Sequence, residues 1–277
     1  MSFAVVDTKI ERLEFDTRCV RIDNRRIPLR LIDSLIVYGD VALKSHDLIK
    51  IAHEGVTVLL ANARGKSVTI YAPFAKNSEL KVAQYATMRD NPFPVARFFI
   101  EEKLRVAKQV WGEPQSDEIF ERISKAKSLE ELRGIEGSFS RDYFKRFFQR
   151  APKVWHKQKR SKRPPQDPLN ALLSFGYMQA YNYIALRLIA AGFEPSIGFL
   201  HVPFRDHYAL ASDVIEPFRA RIDRFMLTIV ENKTVTLEDF SRHKGLYLRH
   251  SGRKKIWKPW QERLSSFDRD LDLYFTS

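Results

Sequence analysis

The chain has 277 residues, of which 44% are hydrophobic and 29% charged, a composition typical of a globular protein with a substantial core. Its single cysteine, Cys19, excludes disulfides within the chain and any thiolate-rich zinc site, while the formal net charge of +13 favours a polyanionic partner. No apolar run is long and uninterrupted enough to span a bilayer, and no basic-then-apolar leader is present, so we expect no membrane partner and a cytoplasmic location.

The first 72 residues are predicted to form a β-rich domain. Short apolar or β-branched segments between Asp, Asn and Gly turn signals predict strands at 3–6, 17–22, 35–38, 56–60 and 68–71. Asp23-Asn24 is placed to form a hairpin turn, and Ser45 to cap a short helix. Because neither GxGxxG nor a Gly-Lys-Ser/Thr segment with the spacing of a phosphate loop occurs, we interpret residues 1–72 as a scaffold or dimerisation domain.

The remainder of the chain is predicted to be helical. Residues 73–78 are the best candidate for a linker, because strand-like alternation stops there and helical periodicity begins. The periodicity predicts helices at 79–89, 94–110, 117–127, 129–148 and 169–191. Ser128 and Asp167 are placed to cap the last two of these helices. The predicted fold class is therefore α+β: a small N-terminal β-rich domain followed by a larger all-α C-terminal domain, 79–277.

Polar residues of catalytic type occur at several places in this helical region. One imidazole is supplied by the segment Gly198-Phe199-Leu200-His201. A helical pattern over 210–229 places Asp213, Glu216 and Asp223 on a shared face. Pro217 is expected to bend this helix. Gly134 and Gly137 flank Glu136 inside a helix, where each costs about 1 kcal/mol relative to Ala. Such glycines favour close approach of another helix or a DNA backbone. Taken singly, each acid or imidazole has a structural explanation that is commoner than a ligand role.

The positive charge is concentrated in two runs without acidic residues. The first, 150–163, holds seven basic residues, and the second, 241–261, interleaves basic residues with Trp257 and Trp260. One such run is commonly a solvated surface, but two in one domain favour a nucleic acid. The candidates for contact with the DNA backbone are Lys153, Lys157, Lys159, Arg160, Lys162, Arg163, Arg249, Arg253, Lys254 and Lys255.

Several motifs together resemble the CRISPR-associated integrase family, the DNA endonuclease and integrase of CRISPR spacer acquisition. The matching motifs are RGIEG at 133–137, RPPxDPxNALLSFGY at 163–177, GFLH at 198–201 and DxxExFR at 213–219. The 15-residue interval from His201 to Glu216 is also the family's spacing. The resemblance covers essentially the whole chain.

This resemblance implies a catalytic and metal-ligating set of Glu136, His201 and Glu216, with Asp213 as a further ligand or a group behind the ligands. Mixed oxygen and imidazole ligands suit Mg²⁺ or Mn²⁺. The implied reaction joins 3′ ends of short DNA fragments into a CRISPR array by phosphodiester transesterification. The resemblance also implies double-stranded DNA, a homodimer through the β domain, and a small companion protein of the adaptation complex as partners.

Two other functions remain open on the sequence. A non-catalytic DNA-binding scaffold of the same fold would keep the basic runs but would not need three ligands at these spacings. A general metal-dependent nuclease acting on branched repair intermediates would use the same site, and the sequence alone does not separate it from an integrase.

Overall fold

A computed structural model describes residues 3–7, 13–16, 18–62, 68–73, 77–112, 117–203 and 207–276. The chain forms two compact units, one from Met1–Ala86, Asn182–Pro195 and Ser265–Ser277, the other from Thr87–Tyr181 and Ser196–Leu264. The linker expected at 73–78 includes residues 74–76, which lie outside the described residues, so the sequence-based domain boundaries stay a prediction. Across the described ranges, no helix combines the length and apolarity needed to cross a membrane.

The strands of the first unit are β1 (Phe3–Asp7), β2 (Leu13–Asp16), β3 (Cys19–Ile22), β4 (Arg25–Pro28), β5 (Ser34–Tyr38), β6 (Thr57–Ala61) and β7 (Val68–Tyr71). One sheet has the order β1-β5-β6-β7, with parallel pairs except for the antiparallel β6–β7 pair. The other is the antiparallel meander β2-β3-β4. The hairpin turn expected at Asp23-Asn24 is confirmed, with Asp23 at φ 50°.

Several local features of this unit differ from the sequence expectations. The sequence patterns did not predict β2, and the strand expected at 17–22 begins at Cys19, with Thr17 outside the described residues. Helix α1 (Ser45–His53) begins at Ser45 itself, and the preceding cap position holds Lys44, whose side chain makes no capping hydrogen bond. The first turn of α1 instead gains Asp47, which favourably faces the positive end of the helix dipole.

The remaining elements are mostly helical, as predicted. They are α2 (Ser78–Asp90), α3 (Phe93–Trp111), α4 (Asp117–Lys125), α5 (Leu129–Arg150), α6 (Pro168–Ala191), α7 (Ala209–Val214), α8 (Arg219–Glu231), β8 (Phe240–Arg242), β9 (Leu246–Leu248), α9 (His250–Ser265) and α10 (Asp268–Thr276). Ser128 caps α5 by accepting from Glu131 N at 3.2 Å, and Asp167 caps α6 by accepting from Asn170 N at 2.8 Å. The predicted α+β fold class is confirmed.

Pro217 interrupts the helical pattern that begins near residue 210. A 3-10 turn, Glu216–Phe218, separates α7 from α8, because proline has no N–H to continue the α-helical hydrogen bonds. Glu216 therefore lies at a break in the helix, and its side chain is positioned by a turn rather than by a straight helical face.

The second unit is not wholly α-helical, since β8 and β9 form a short hairpin inside the second basic run. Gly245 in its turn packs so closely on Pro164 that a Cβ atom there would lie 2.4 Å from the proline Cβ. Leu246 N also donates to Pro165 O at 2.8 Å. The two prolines that directly follow the first basic run therefore pack on this hairpin of the second run.

Candidate active site

Helices α3 and α5 and the 3-10 turn at Glu216 present polar side chains to one cavity of about 590 Å³ in the second unit. Glu136 comes from α5 and Glu216 from the turn, while His201 comes from the loop between α6 and α7. The three ligands predicted from the sequence therefore line a single cavity. Their assignment as ligands stays a prediction.

Lys103 of α3 lies between the two glutamates. Its Nζ contacts Glu136 Oε1, lies 2.7 Å from Glu216 Oε2 and donates to Ser140 Oγ at 3.0 Å. The Lys103 side chain is 7% exposed, so these contacts replace nearly all of its hydration. The ammonium is thus a buried cation bridging two carboxylates.

Glu216 is the more deeply buried carboxylate. Burial alone would raise the pKa of Glu216, but the charges of Arg219 and Lys103 outweigh it and lower the pKa to about 2. Arg219 Nε lies 2.9 Å from Glu216 Oε1. In Glu136 the same opposition holds, since burial raises the pKa and Lys103 lowers it, with a net lowering. Both side chains are therefore carboxylates at neutral pH.

Asp213 is fully buried, does not line this cavity and holds the His201 loop. Its Oδ2 accepts from the backbone N–H groups of Phe199 at 2.6 Å and Leu200 at 3.0 Å, and its Oδ1 accepts from His201 N at 2.9 Å. Oδ1 also lies 2.7 Å from His201 Nδ1. A carboxylate on one ring nitrogen leaves the other nitrogen for a ligand role. These contacts are those of a positioning group, and the ligand role for Asp213 stays a prediction.

Arg133 holds the same loop from α5. Its Nε and Nη2 donate to Leu200 O at 3.1 and 2.7 Å. Arg133 Nη1 also lies 3.6 Å from Glu130 Oε1, whereas Glu136 pairs with Lys103.

The oxygen and imidazole donors of Glu136, His201 and Glu216 are of the types that suit a hard divalent cation, and Lys103 lies between the two carboxylates. Among the described residues, no three or more His, Cys, Asp and Glu side chains approach closely enough to hold an ion. The ammonium occupies the space between Glu136 and Glu216 that a cation would bridge. Its Nζ forms an ion pair with the buried Oε2 of Glu216 at 2.7 Å. Carboxylate oxygens, such as those now facing the Lys103 ammonium, are ligands that Mg²⁺ and Mn²⁺ prefer.

The first basic run forms part of the cavity wall. Lys159, Arg160 and Lys162 line the cavity, while Lys153, Lys157 and Arg163 are exposed outside the lining. Desolvation, then the nearby Arg219 and Arg160 charges, lowers the pKa of Lys162. A wall of this kind attracts phosphate.

Arg160 also has a structural role. Its Nη1 donates to Ser161 O at 2.6 Å and to Asn170 Oδ1 at 2.8 Å, and its guanidinium lies 5.5 Å from the centre of the Tyr177 ring. An Arg160→Ala variant would therefore lose packing and hydrogen bonds as well as a charge, which makes it a poor probe of DNA binding alone.

The second basic run lies outside the cavity lining. Arg249 and Lys254 are exposed and Arg253 is half-buried. Lys255 pairs with the buried Asp239, with Nζ–Oδ2 at 2.7 Å, so its charge is already partly compensated. DNA contact by these four residues stays a prediction.

The glycines around Glu136 are not required by a neighbouring helix. A Cβ atom built on Gly134 or Gly137 meets no described atom within 4 Å. Gly137 lines the cavity beside Glu136. The explanation by close packing of another helix is therefore not supported, and close approach of a DNA backbone stays a prediction.

Behind the cavity wall, Asp223 is fully buried between two tyrosines. Its Oδ2 accepts from Tyr143 OH at 2.7 Å, and its Oδ1 accepts from Tyr177 OH. Trp111 Nε1 donates to Tyr143 OH at 2.9 Å, which fixes that ring. Burial raises the pKa of Asp223 to about 6, against the lowering effect of the tyrosine hydrogen bonds.

This raised pKa predicts a pH-dependent difference between the parent chain and Asp223→Asn. An unfolded aspartate titrates near pH 4, so between about pH 4 and 6 the folded parent binds the extra proton. The parent's free energy of unfolding, relative to Asp223→Asn, should therefore fall by roughly 3 kcal/mol as pH rises from 4 to above 6. Urea denaturation of both chains across this range measures the difference, and a pH-independent difference would contradict the assignment.

Comparison with known proteins decides the family. The family described as CRISPR associated protein Cas1 matches residues 4–262. The chain belongs to the Cas1 family. A relative from Thermodesulfovibrio yellowstonii, named CRISPR-associated endonuclease Cas1 1, is 30% identical over 85% of this chain and 81% of its own length. A Thermus thermophilus relative of the same name is 32% identical over 86% of this chain and 77% of its own.

Solved structures share the Cas1 fold of this chain. TM1797, a CAS1 protein from Thermotoga maritima, aligns with a TM-score of 0.85 at 20% identity over 99% of this chain and 96% of its own. A casposase bound to integration product gives 0.78 at 23% identity, over 95% and 82%. A partial Cas6-RT-Cas1–Cas2 complex gives 0.69 at 22% identity, over 99% and 92%.

Sequence reasoning missed one central residue of this Cas1 chain. Lys103 occupies a buried position on α3, beside Phe99, Ile100 and Leu104. A lysine on the apolar face of an amphipathic helix was the available signal, because a buried ammonium needs an acidic partner. Arg219 lay within a matched motif, but its pairing with Glu216 was not predicted.

Proposed function

We propose that this Cas1 chain is a divalent-metal-dependent DNA integrase that joins 3′ ends of short DNA fragments into a CRISPR array. The observation that carries the proposal is that Glu136, His201 and Glu216 line one cavity. The Lys103 ammonium lies between the two carboxylates. The names of the relatives, CRISPR-associated endonucleases, and of the casposase bound to integration product support it.

In the proposed reaction, the 3′-hydroxyl of a fragment attacks a phosphodiester of the array. A new P–O bond forms to the attacking 3′ oxygen and the P–O bond of the array to its own 3′ oxygen breaks. The displaced 3′ oxygen takes up the proton that the attacking hydroxyl loses. Glu136, His201 and Glu216 would hold Mg²⁺ or Mn²⁺. The bound ion would supply neutralisation of charge at the phosphate and activation of the attacking hydroxyl.

The surrounding side chains prepare these ligands. Arg219 keeps Glu216 ionised and fixed at one oxygen, and Asp213 fixes the imidazole of His201. Arg160 and Lys162 supply positive charge to the cavity wall, where a phosphate would lie. No serine, cysteine or lysine nucleophile is needed, because the DNA hydroxyl itself attacks.

The proposed partners are double-stranded DNA, a second copy of the chain and a small companion protein. The basic runs support DNA, and the similarity to a Cas1 chain in the Cas6-RT-Cas1–Cas2 complex supports a companion of the Cas2 kind. The β-rich unit is the proposed dimerisation region.

The direct test incubates the protein with Mn²⁺, a short duplex with free 3′ ends and a plasmid carrying a CRISPR array. Joined products that disappear in Glu136→Ala and persist in Asp142→Asn would support integration. Asp142 is an exposed carboxylate on the same helix. Cutting without joining would favour the nuclease, and binding without either reaction would favour the scaffold.

A separate prediction concerns the first basic run. Replacing Lys157, Lys159 and Lys162 with Ala together should weaken duplex binding and make the log–log salt slope shallower by about 0.9 for each phosphate that the variant no longer neutralises. Fluorescence anisotropy at several salt concentrations measures both quantities.

A matched triple variant distinguishes local contact from net charge. Arg25, Arg30 and Lys44 are exposed cations of the β-rich unit, and their replacement by Ala removes the same charge. An equal change of slope in this control would refute a specific role for the first basic run.

A further inference from the structure

Lys103 occupies the oxygens that an incoming ion would need. Its ammonium contacts Glu136 Oε1 and Glu216 Oε2, while Arg219 takes Glu216 Oε1. A divalent ion held by Glu136 and Glu216 would therefore compete with the Lys103 ammonium for these carboxylates.

The net charge of the cluster also opposes binding of an ion to the free protein. The two carboxylates are balanced by Lys103 and Arg219, so the cluster is close to neutral without an ion. Adding a divalent ion leaves two positive charges in excess inside a partly enclosed cavity. Excess charge of this kind is unfavourable unless anions enter with the ion.

The cavity also limits where a displaced ammonium can go. Arg160, Lys162 and Arg219 line the same cavity, and they would repel it. Ser140 Oγ, already 3.0 Å from Nζ, is neutral. A phosphate of bound DNA is the partner that supplies the missing negative charge.

Resting on the proposed function, we infer that Lys103 couples the two ligands of this site. It weakens divalent-ion binding to the free protein by holding Glu136 and Glu216, and it moves to a DNA phosphate when ion and DNA bind together. Ion and DNA therefore strengthen each other's binding, and by thermodynamic linkage the two effects are equal. In this proposal the Lys103 ammonium contacts the ligands of the ion in the free protein and the substrate phosphate in the complex, and an ion is retained in the site chiefly when substrate is present.

The first arm of the test measures Mn²⁺ binding without DNA, by electron paramagnetic resonance of free Mn²⁺ at mildly alkaline pH. Lys103→Met keeps most of the side-chain volume and removes the charge. It should bind Mn²⁺ about tenfold or more tightly than the parent, because the ammonium no longer competes for the carboxylates. Lys145→Met removes one charge from the same cavity lining, where Lys145 pairs with no described carboxylate, and should change the affinity by about twofold or less.

The second arm repeats the titration with a saturating short duplex. DNA should raise the Mn²⁺ affinity of the parent by about tenfold or more, and the gain should largely vanish in Lys103→Met. Circular dichroism and thermal melting establish that each variant is folded, and Lys103→Gln serves as the second neutral variant if the Met variant is not.

The outcomes separate this inference from the proposed function. If Glu136→Gln loses Mn²⁺ binding but neither neutral Lys103 variant gains affinity, the coupling is overturned and the metal site stands. If Glu136→Gln binds Mn²⁺ as well as the parent, the metal site fails and the coupling fails with it. A DNA-dependent gain that is unchanged in the folded Lys103 variants also overturns the coupling.

Discussion

Glu216→Gln is expected to lower the rate of strand joining by on the order of 10³-fold or more, while the protein remains folded and still binds DNA. The substitution keeps the shape of the side chain but removes the negative charge that Lys103 and Arg219 now face. The variant then has an excess of positive charge in the cavity, so its DNA affinity should be kept or raised. Single-turnover joining assays and anisotropy measure the two effects separately.

The matched control is Glu231→Gln, at the end of α8, where the carboxylate is 40% exposed and pairs with Arg224. This variant should join DNA at the parent rate. Full joining activity in Glu216→Gln would remove this carboxylate from the proposed set and with it the central support for a metal-dependent reaction.

Asp213→Asn is expected to destabilise the folded chain by roughly 3–5 kcal/mol and to lower joining by about 10- to 100-fold. Both carboxylate oxygens accept from N–H groups of the His201 loop, and an amide would place its NH₂ against some of these donors. The loop would then shift and His201 would lose its fixed orientation. Urea denaturation gives the free energy of unfolding, and joining assays are done well below the unfolding transition.

Asp239→Asn separates loss of stability from loss of position. Asp239 is also a buried carboxylate with several donors, including Lys255 and Thr236, but it does not line the cavity. Its substitution should lower stability without lowering the joining rate of the folded protein. Equal losses of rate in both variants would contradict a specific positioning role for Asp213.

Much of the fold follows from patterns within short stretches of sequence. Period-two alternation, turn residues and helix caps at Ser128 and Asp167 locate most strands and helices. The hairpin at Phe240–Leu248 was missed because its strands are short and the surrounding basic residues carry no alternation signal. Its turn packs Gly245 against Pro164, a contact between residues distant in sequence.

In the candidate site, too, local motifs identify the residues, while their contacts depend on the tertiary structure. The motifs around Glu136, His201 and Glu216 identify residues that the fold brings to one cavity. Their actual partners depend on tertiary contacts: Lys103 lies 33 positions from Glu136, and Arg133 binds a carbonyl 67 positions away. No local period or spacing encodes such pairs, so the ammonium between the carboxylates becomes visible only in three dimensions.

Helix α5 has a mechanical consequence for the site. One turn of this helix carries both Glu136 and Arg133, and Arg133 grips the carbonyl of Leu200, the residue next to His201. If α5 shifts when DNA binds, the contact between Arg133 and Leu200 should move the His201 imidazole together with the Glu136 carboxylate. The distance between the Glu136 carboxylate and the His201 imidazole is therefore expected to change little when the helix moves.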